Sequence, residues 1–138
     1  MFDHCLYFNS TAVARLAERQ WAEAFRPFAL TPSQAFLLRL VLDRPGLLQR
    51  DLAAALTISA PTATRLLHGL EAKRLVERRS SSTDGRESRI YPTPAAEKIK
   101  RPLNAASAEV TKRIKQLIGK DVFDEAVAKL RGVRAALG

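Results

Sequence analysis

The sequence predicts a mainly α-helical fold that carries one small antiparallel β wing. Apolar residues recur at steps of three and four over most of the 138 residues, which is the spacing of amphipathic helices. Two short segments, 75–79 and 88–92, instead fit strands, and the turn sequence Asp84-Gly85 lies between them. A chain of this length can bury one core, so we expect a single domain spanning residues 1–138.

The charge balance indicates a polyanionic partner. Lys and Arg number 23 against 14 Asp and Glu, which leaves a formal net charge of +9. This excess favours nucleic acid first and an anionic membrane surface second. No apolar run approaches the roughly 20 residues of a membrane span, and the first residues lack the pattern of a signal peptide. With a single cysteine besides, we expect a cytoplasmic protein without a membrane partner.

The first part of the chain predicts three helices. The first covers about 5–28 and carries a long apolar stripe. The second begins at Thr31-Pro32-Ser33-Gln34, where the threonine can cap the helix, the proline suits the first turn and the glutamine can complete a capping box. Asp43-Arg44-Pro45-Gly46 ends it. The third is short and runs from Leu48 to Leu56.

A fourth helix, after the tight turn at 57–59, is the most informative element. Its leucines line one side, which leaves its other faces to threonine and arginine. With the third helix it forms a helix-turn-helix, and its short polar face suits the major groove of DNA. The candidate DNA contacts here are Ser59, which can also cap the helix, Pro61, Thr62, Thr64 and Arg65. Arg65 could read a base, touch a phosphate, or pair with Glu71 on the helix surface.

The two strands and the turn between them predict the wing. Arg79 and Arg89 face water and are further candidates for DNA contact. Arg86 at the tip suits the minor groove or the phosphates beside it, although it could be a solvated turn charge. Because phosphates repel Asp84, we expect it to orient Arg86 and to cap the turn.

Both ends of the chain predict long helices whose apolar stripes one chain has trouble covering. The winged helix-turn-helix core spans about 31–93, and the flanking helices span about 5–28 and 94–137. The simplest way to cover them is a homodimer in which these dimerisation helices pack together. Two-fold pairing would place two recognition helices on one face of DNA, about one helical turn apart.

In this order of elements the chain resembles the MarR family of bacterial transcription regulators, over roughly residues 5–137. The resemblance rests on Leu30-Thr31-Pro32-Ser33-Gln34, Asp51-Leu52-Ala53, Thr62-Ala63-Thr64-Arg65-Leu66-Leu67, Leu70-Glu71, Leu75-Val76-Glu77-Arg78 and Asp84-Gly85-Arg86. It implies a homodimeric winged helix-turn-helix protein that binds a pseudo-palindromic operator in double-stranded DNA. It also implies a repressor that is released when a small ligand or an oxidant arrives.

Two positions depart from the family's pattern. Where members often have a left-handed Gly after the recognition helix, this chain has Arg74, which can adopt that conformation at some cost. The long helix follows Tyr91-Pro92-Thr93-Pro94 instead of the family's common Leu-Thr, and its threonine can still cap the helix. Neither departure touches the predicted DNA-binding face.

Cys5 allows a redox form of regulation. Some peroxide-sensing members of the family carry a reactive cysteine near the start of the first helix with tyrosine partners, and here Tyr7 follows closely. A helix N-terminus favours a thiolate, and its oxidation would add bulk and polarity at the predicted interface. Cys5 could instead be a small buried packing residue. We favour packing, because one cysteine and a nearby tyrosine are less than a full motif.

No catalytic, metal or cofactor site is predicted. The sequence has no Gly-rich phosphate loop or supported nucleophile–base set, and two His with one Cys are too few for a zinc site without carboxylates. The alternatives to a DNA-binding regulator are an adaptor whose winged part binds protein and, less favoured, an enzyme with a hidden site. Phe8, Trp21 and Phe36 could line a cavity for a small aromatic or anionic effector, or belong to the core.

Overall fold

Helices make up most of the chain, whose computed structural model describes residues 1–80 and 87–138. Helix α1 covers Leu6–Phe25 and is followed by a 3-10 turn at Arg26–Phe28; α2 covers Pro32–Asp43, α3 Gln49–Leu56, α4 Ala60–Ala72, α5 Pro94–Ile118 and α6 Lys120–Leu137. Strands β1 (Leu47–Leu48), β2 (Val76–Ser80) and β3 (Ser88–Pro92) form an antiparallel sheet in the order β1-β3-β2. The predicted class, mainly α with a small antiparallel β wing, is confirmed.

Hydroxyl side chains cap the starts of three helices. The Thr31 hydroxyl accepts from the backbone N–H of Gln34 at 3.2 Å, while the Gln34 side chain accepts from the N–H of Thr31 at 3.1 Å, so the capping box is formed. The hydroxyls of Ser59 and Thr93 cap α4 and α5. Each accepts a hydrogen bond from the backbone N–H three residues later, which belongs to Thr62 and to Ala96 respectively. A cap of this kind stabilises a helix by about 1 kcal/mol.

The end of α4 joins the two departures from the family pattern. Arg74 has a φ of +58°, so it occupies the left-handed conformation that members often give to glycine. The N–H of Leu75 then bonds the carbonyl of Leu70 at 3.0 Å. The hydroxyl of Thr93 donates to the Arg74 carbonyl at 2.7 Å and also caps α5. One threonine therefore holds both the strained turn and the start of the long helix.

Two details differ from the sequence-based expectation. The first helix ends at Phe25, and Pro27 falls in the separate 3-10 turn that follows, because proline cannot supply the N–H that an α-helix needs. Strand β1 was not predicted. It pairs Leu47 with Ile90, and two residues are too few to show a strand period.

The hydrophobic core lies in the winged head, by which we mean α2, α3, α4 and the sheet. Its largest fully buried side chains belong to the head, to the end of α1 and to the middle of α5, and they include Phe25, Leu37, Leu38, Leu52, Leu67, Leu70, Ile90 and Leu103. In the terminal helices, α1, α5 and α6, burial is far lower: α1 buries Phe25 alone, and α6 buries no residue within the chain. In the described part of the chain, no helix is long and apolar enough to cross a bilayer.

Candidate nucleic-acid interface

Helix α4 is anchored by one face and open on the other. Ala63, Leu66, Leu67 and Leu70 are buried, as the leucine spacing predicted. Arg65 is exposed, and Thr62 and Thr64 are half-buried. Glu71 does not pair with Arg65, since it is held by Arg78. Within residues 1–80 and 87–138, no side chain bonds to the Arg65 guanidinium, which leaves it available to a partner.

The first turn of α4 is a compact polar site. The Ser59 hydroxyl accepts from the N–H of Thr62 at 3.2 Å and donates to the Thr62 hydroxyl at 2.9 Å. Pro61 is exposed in the same turn. The N-terminus of a helix carries partial positive charge and free N–H groups, so a phosphate fits this end of α4.

A hydrogen-bonded network beneath α4 fixes its orientation. The side-chain amide of Gln49, at the start of α3, donates through Nε2 to the Thr64 hydroxyl at 2.8 Å, and its Oε1 accepts from Arg78 of β2 at 2.7 Å. Arg78 also donates to Glu71 through Nε at 3.2 Å and Nη2 at 2.7 Å. We call Gln49, Thr64, Glu71 and Arg78 the orienting network. It ties α3, α4 and β2 together, and it places the Thr64 hydroxyl against α3.

Sequence reasoning missed Gln49 and Arg78 as parts of the site. The available signals were the Leu70-Glu71 and Leu75-Val76-Glu77-Arg78 motifs, whose charges of opposite sign come seven residues apart. That spacing crosses a helix end and a turn, so no periodic rule brings the two side chains together.

Two arginines lie opposite each other at the base of the wing. Arg79 of β2 and Arg89 of β3 are paired in the sheet, and both are exposed. The Arg79 guanidinium lies 3.9 Å from the centre of the Tyr91 ring, and its hydrogen bond to Glu77 raises its pKa. Arg89 donates to the carbonyl of Gly46 at 2.9 Å. Like charges directly opposite in a sheet repel, so a phosphate near this pair would be stabilising. Asp84 and Arg86 lie outside the described residues.

Cys5 is at the start of α1 and is exposed, so it is not a buried packing residue within the chain. Its sulfur accepts from the N–H of Phe8 at 3.5 Å and caps the helix. Within the described residues, no three His, Cys, Asp or Glu side chains gather as a metal site would require.

An apolar cavity of about 380 Å³ lies between α1, α2 and α4. Its lining includes Trp21 and Phe36, as the sequence suggested, together with Ile58 and Leu66. Among the described residues, Glu18 is the one charged side chain in that lining. Phe8 lies outside this lining, and the centre of its ring is 5.5 Å from that of Phe2.

Two side chains that line this cavity, Trp21 and Phe36, contact Ser107 and Arg39, which line the other side, and we call these four side chains the shared wall. Buried Ser107 of α5 accepts from Trp21 Nε1 at 3.0 Å and from Arg39 Nη1 at 3.0 Å. The Arg39 guanidinium lies 4.8 Å from the centre of the Phe36 ring. The wall therefore joins α1, α2 and α5 through one hydroxyl.

Comparison with known sequences identifies relatives among regulators. The sequence model that describes the MarR family matches residues 30–87 of this chain. A Thauera aromatica protein, described as a candidate transcriptional regulatory protein for the hcr operon, is 33% identical over 79 residues, covering 51% of this chain and 48% of that protein. The HTH-type transcriptional regulator YwoH of Bacillus subtilis (strain 168), itself uncharacterised, is 33% identical over 91 residues, covering 66% of each chain. This chain thus matches from about half to about two thirds of the length of these relatives.

Solved structures share the fold over nearly the whole chain. The complex of S. aureus MepR with DNA superposes with a TM-score of 0.85 at 21% identity, covering 99% of this chain and 100% of that one. The repressor CouR bound to a 23-mer DNA duplex gives 0.82 at 24% identity, with 96% and 94% covered. The Streptomyces coelicolor regulator PcaV in complex with its natural ligand gives 0.78 at 19% identity, with 91% and 92% covered.

Proposed function

This chain belongs to the MarR family, and from that premise we propose that it is a sequence-specific regulator of transcription that binds double-stranded DNA in the cytoplasm. The observation that supports this proposal most is that α4 is held firmly by the protein while its polar face is exposed. Its apolar face is buried, the orienting network holds it from below, and the exposed Arg65 has no protein partner among the described residues. A basic, rigidly held helix face is what the major groove accepts.

We assign the contacts as follows. The first turn of α4, with Ser59, Pro61 and Thr62, binds phosphate. Arg65 reaches a base edge. The Thr64 hydroxyl accepts from Gln49 and can still donate its own proton to a phosphate. The remaining proposed contacts belong to the wing and its base, and they are Arg79, Asp84, Arg86 and Arg89, with Asp84 orienting Arg86.

The proposed active form is a homodimer. Large apolar side chains are exposed at both ends of the chain, among them Leu6, Val13, Leu16, Val127, Leu130 and Leu137. A second copy could cover them with the same helices, and the dimer would present two copies of α4 to a pseudo-palindromic operator. In this proposal the domain spans 1–138, with the winged core at about 31–93.

We further propose a repressor that a small aromatic ligand releases. The apolar cavity separates α1, a proposed dimerisation helix, from α2 and α4 of the winged head. A ligand there would change the angle between α1 and the winged head. It would thereby change the distance between the two copies of α4 in the dimer. Glu18 places a negative charge in the lining of this cavity. The cavity therefore suits a neutral or cationic aromatic molecule better than an anion, and we do not propose an anionic effector for it.

Arg65→Ala tests the DNA-binding proposal. The expected loss of specific affinity is about 1–3 kcal/mol, and selection from a randomised site library should show relaxed preference at one base pair in each half-site. Arg113→Ala is the matched control, since it removes an exposed arginine from α5 and should leave preference unchanged.

The wild type should also bind duplex fragments with an affinity that falls steeply with salt, because bound phosphates release counterions. Absence of salt-dependent duplex binding in a screen of genomic fragments would refute the proposal and favour the protein-binding adaptor. Arg86→Ala in the same assay tests the wing.

A further inference from the structure

A second cavity, between α2, α5 and the start of α6, has chemistry opposite to that of the apolar cavity. It has a volume of about 700 Å³, and four cationic side chains line it: Arg39, Lys112, Lys115 and Lys120. The other lining residues are polar or small, and no carboxylate is among them within the described residues. We propose that this α2–α5 groove binds a small multivalent oxyanion, one that carries several carboxylates or a phosphate group.

Arg39 is the centre of the proposed site because its guanidinium is half-buried and lacks a counter-charge. In the described part of the chain, no carboxylate forms an ion pair with it. Guanidinium has five N–H donors, and the structure assigns two of them, Nε to Asn104 at 2.7 Å and Nη1 to Ser107 at 3.0 Å. Burial lowers the pKa of Arg39, so the charged form lacks full compensation within the protein, and a bound anion would supply it.

The guanidinium is also held in place before any ligand arrives. Asn104 and Ser107 fix its edge, and the Phe36 ring lies against its face. The donors left over can meet a carboxylate or a phosphate in the paired geometry that arginine favours. A fixed donor set loses little conformational entropy on binding.

The lysines add charge on the same face of α5. Lys112 and Lys115 follow Asn104 and Ala108 at helical spacing, so one face of the helix lines the groove. Lys115 Nζ lies 5.0 Å from the centre of the Phe123 ring. Lys120 is partly neutralised, because it bonds Asp124 at 2.7 Å, and Lys115 interacts with the same carboxylate more weakly, without a hydrogen bond. Arg39, Lys112 and Lys115 are therefore the charges that would hold the anion, and three cations favour a multivalent one.

The groove is separate from the proposed DNA-binding face and from the apolar cavity. It joins α2 of the winged head to α5, whereas the DNA-binding face is built from α4 and the wing. The inference therefore goes beyond the proposed function, and its test needs no DNA.

Calorimetric titration of the purified full chain tests it, with citrate as the polycarboxylate probe and pyrophosphate as the phosphate probe. Sodium chloride keeps the ionic strength constant in both titrations. We expect saturable binding of at least one probe, and the tighter one identifies the anion class. Lys112→Gln/Lys115→Gln should weaken it about tenfold or more, since two of the three binding charges are lost. Lys98→Gln, on an exposed lysine of α5 outside the groove, should change it less than about twofold.

Arg39→Lys adds a second test, because it keeps the charge and removes the planar donor set. It should also lower the affinity for the probe about tenfold. Thermal melting confirms that the variant is folded. No saturable binding of either probe, an unchanged affinity in the double variant, or an equal loss in Lys98→Gln would each overturn the proposal. If a carboxylate of a second copy filled the groove, neither probe would bind saturably, and the proposal would be overturned. DNA binding is measured separately, so its failure and this one are distinguishable.

Discussion

The winged head and the terminal helices show the same amphipathic pattern in sequence, yet they bury it to very different extents. In the head, Leu37, Leu52, Leu67 and Leu70 have no exposed surface. In α6 no residue is buried, and Leu130 keeps 50% of its surface exposed. Periodicity therefore tells which face of a helix is apolar, but not whether the same chain covers it. The head buries its apolar faces within one chain, whereas the terminal helices leave theirs exposed, and in the proposed homodimer a second copy would cover them.

Truncating a core residue of the head should have the largest effect. Leu67→Ala should lower the free energy of unfolding by about 2–5 kcal/mol, because it leaves a cavity in a fully buried site. The loss should not depend on protein concentration. Leu137→Ala, whose side chain is 78% exposed in the chain, should act only through assembly, and its effect should vanish on dilution. Urea denaturation at two concentrations measures both; concentration-independent losses of similar size would break the comparison.

A charge in the proposed dimer interface should come next. Leu130→Asp should abolish the dimer, because it would bury an unpaired carboxylate between the two copies. Sedimentation velocity at micromolar concentration measures the state of assembly. Lys129→Asp is the control, since it places the same charge one residue away, at an exposed polar position of α6, and should leave the dimer intact. A wild type that sediments as a monomer would contradict the dimer from the outset.

Two ion pairs of the winged head, one on each side of β2, allow a finer comparison. Arg78 and Glu71 are about one third exposed or less and belong to the orienting network, whereas Arg79 and Glu77 are about half exposed. Arg78→Gln should weaken DNA binding by about 1–2 kcal/mol, because α4 loses its link to β2. Glu77→Gln should have much less effect.

A double-mutant cycle separates positioning from direct contact. If Arg78 acts through Glu71, the variant with both Arg78→Gln and Glu71→Gln should bind DNA about as well as Arg78→Gln alone. Fully additive losses would mean that Arg78 does not act through Glu71, so that its effect comes from its bond to Gln49 or from a contact of its own with DNA.

Cys5 should give the smallest effect. It is exposed at the N-terminus of α1, as a reactive thiol would be, but the sequence offers no second cysteine to form a disulfide with it inside one chain. We expect peroxide to leave the DNA affinity of the wild type and of Cys5→Ser alike. A loss confined to the wild type, measured by titration before and after oxidation, would establish the thiol-based sensor instead.

Local signals carried most of the fold. The caps at Thr31, Ser59 and Thr93 were all predicted, because each depends on residues within a few positions of one another. The conformation of Arg74 was left open by the sequence, and the structure shows it to be left-handed. Strand β1 was missed, because its pairing with Ile90 crosses more than 40 residues and leaves no period in two positions.

The candidate site was predictable only in outline. The exposed face of α4 followed from the spacing of its leucines, but the orienting network did not, since Gln49 meets Thr64 and Arg78 through the packing of α3 on α4 and β2. Arg39 likewise gave no sign in the sequence that it would be half-buried without a counter-charge. Such contacts between distant segments depend on tertiary packing, which one sequence does not reveal.

The shared wall has an optical consequence. Trp21 is the only tryptophan in the chain; its ring lines the apolar cavity, and its N–H donates to the hydroxyl that also accepts from Arg39. An aromatic molecule against the ring should alter the intensity of tryptophan emission directly, whereas an anion drawn to Arg39 should act through Ser107 and the indole N–H. The natural fluorescence of the unlabelled protein would then report on both cavities at once. Any influence of one occupant on the affinity of the other must also be matched by an equal influence in return.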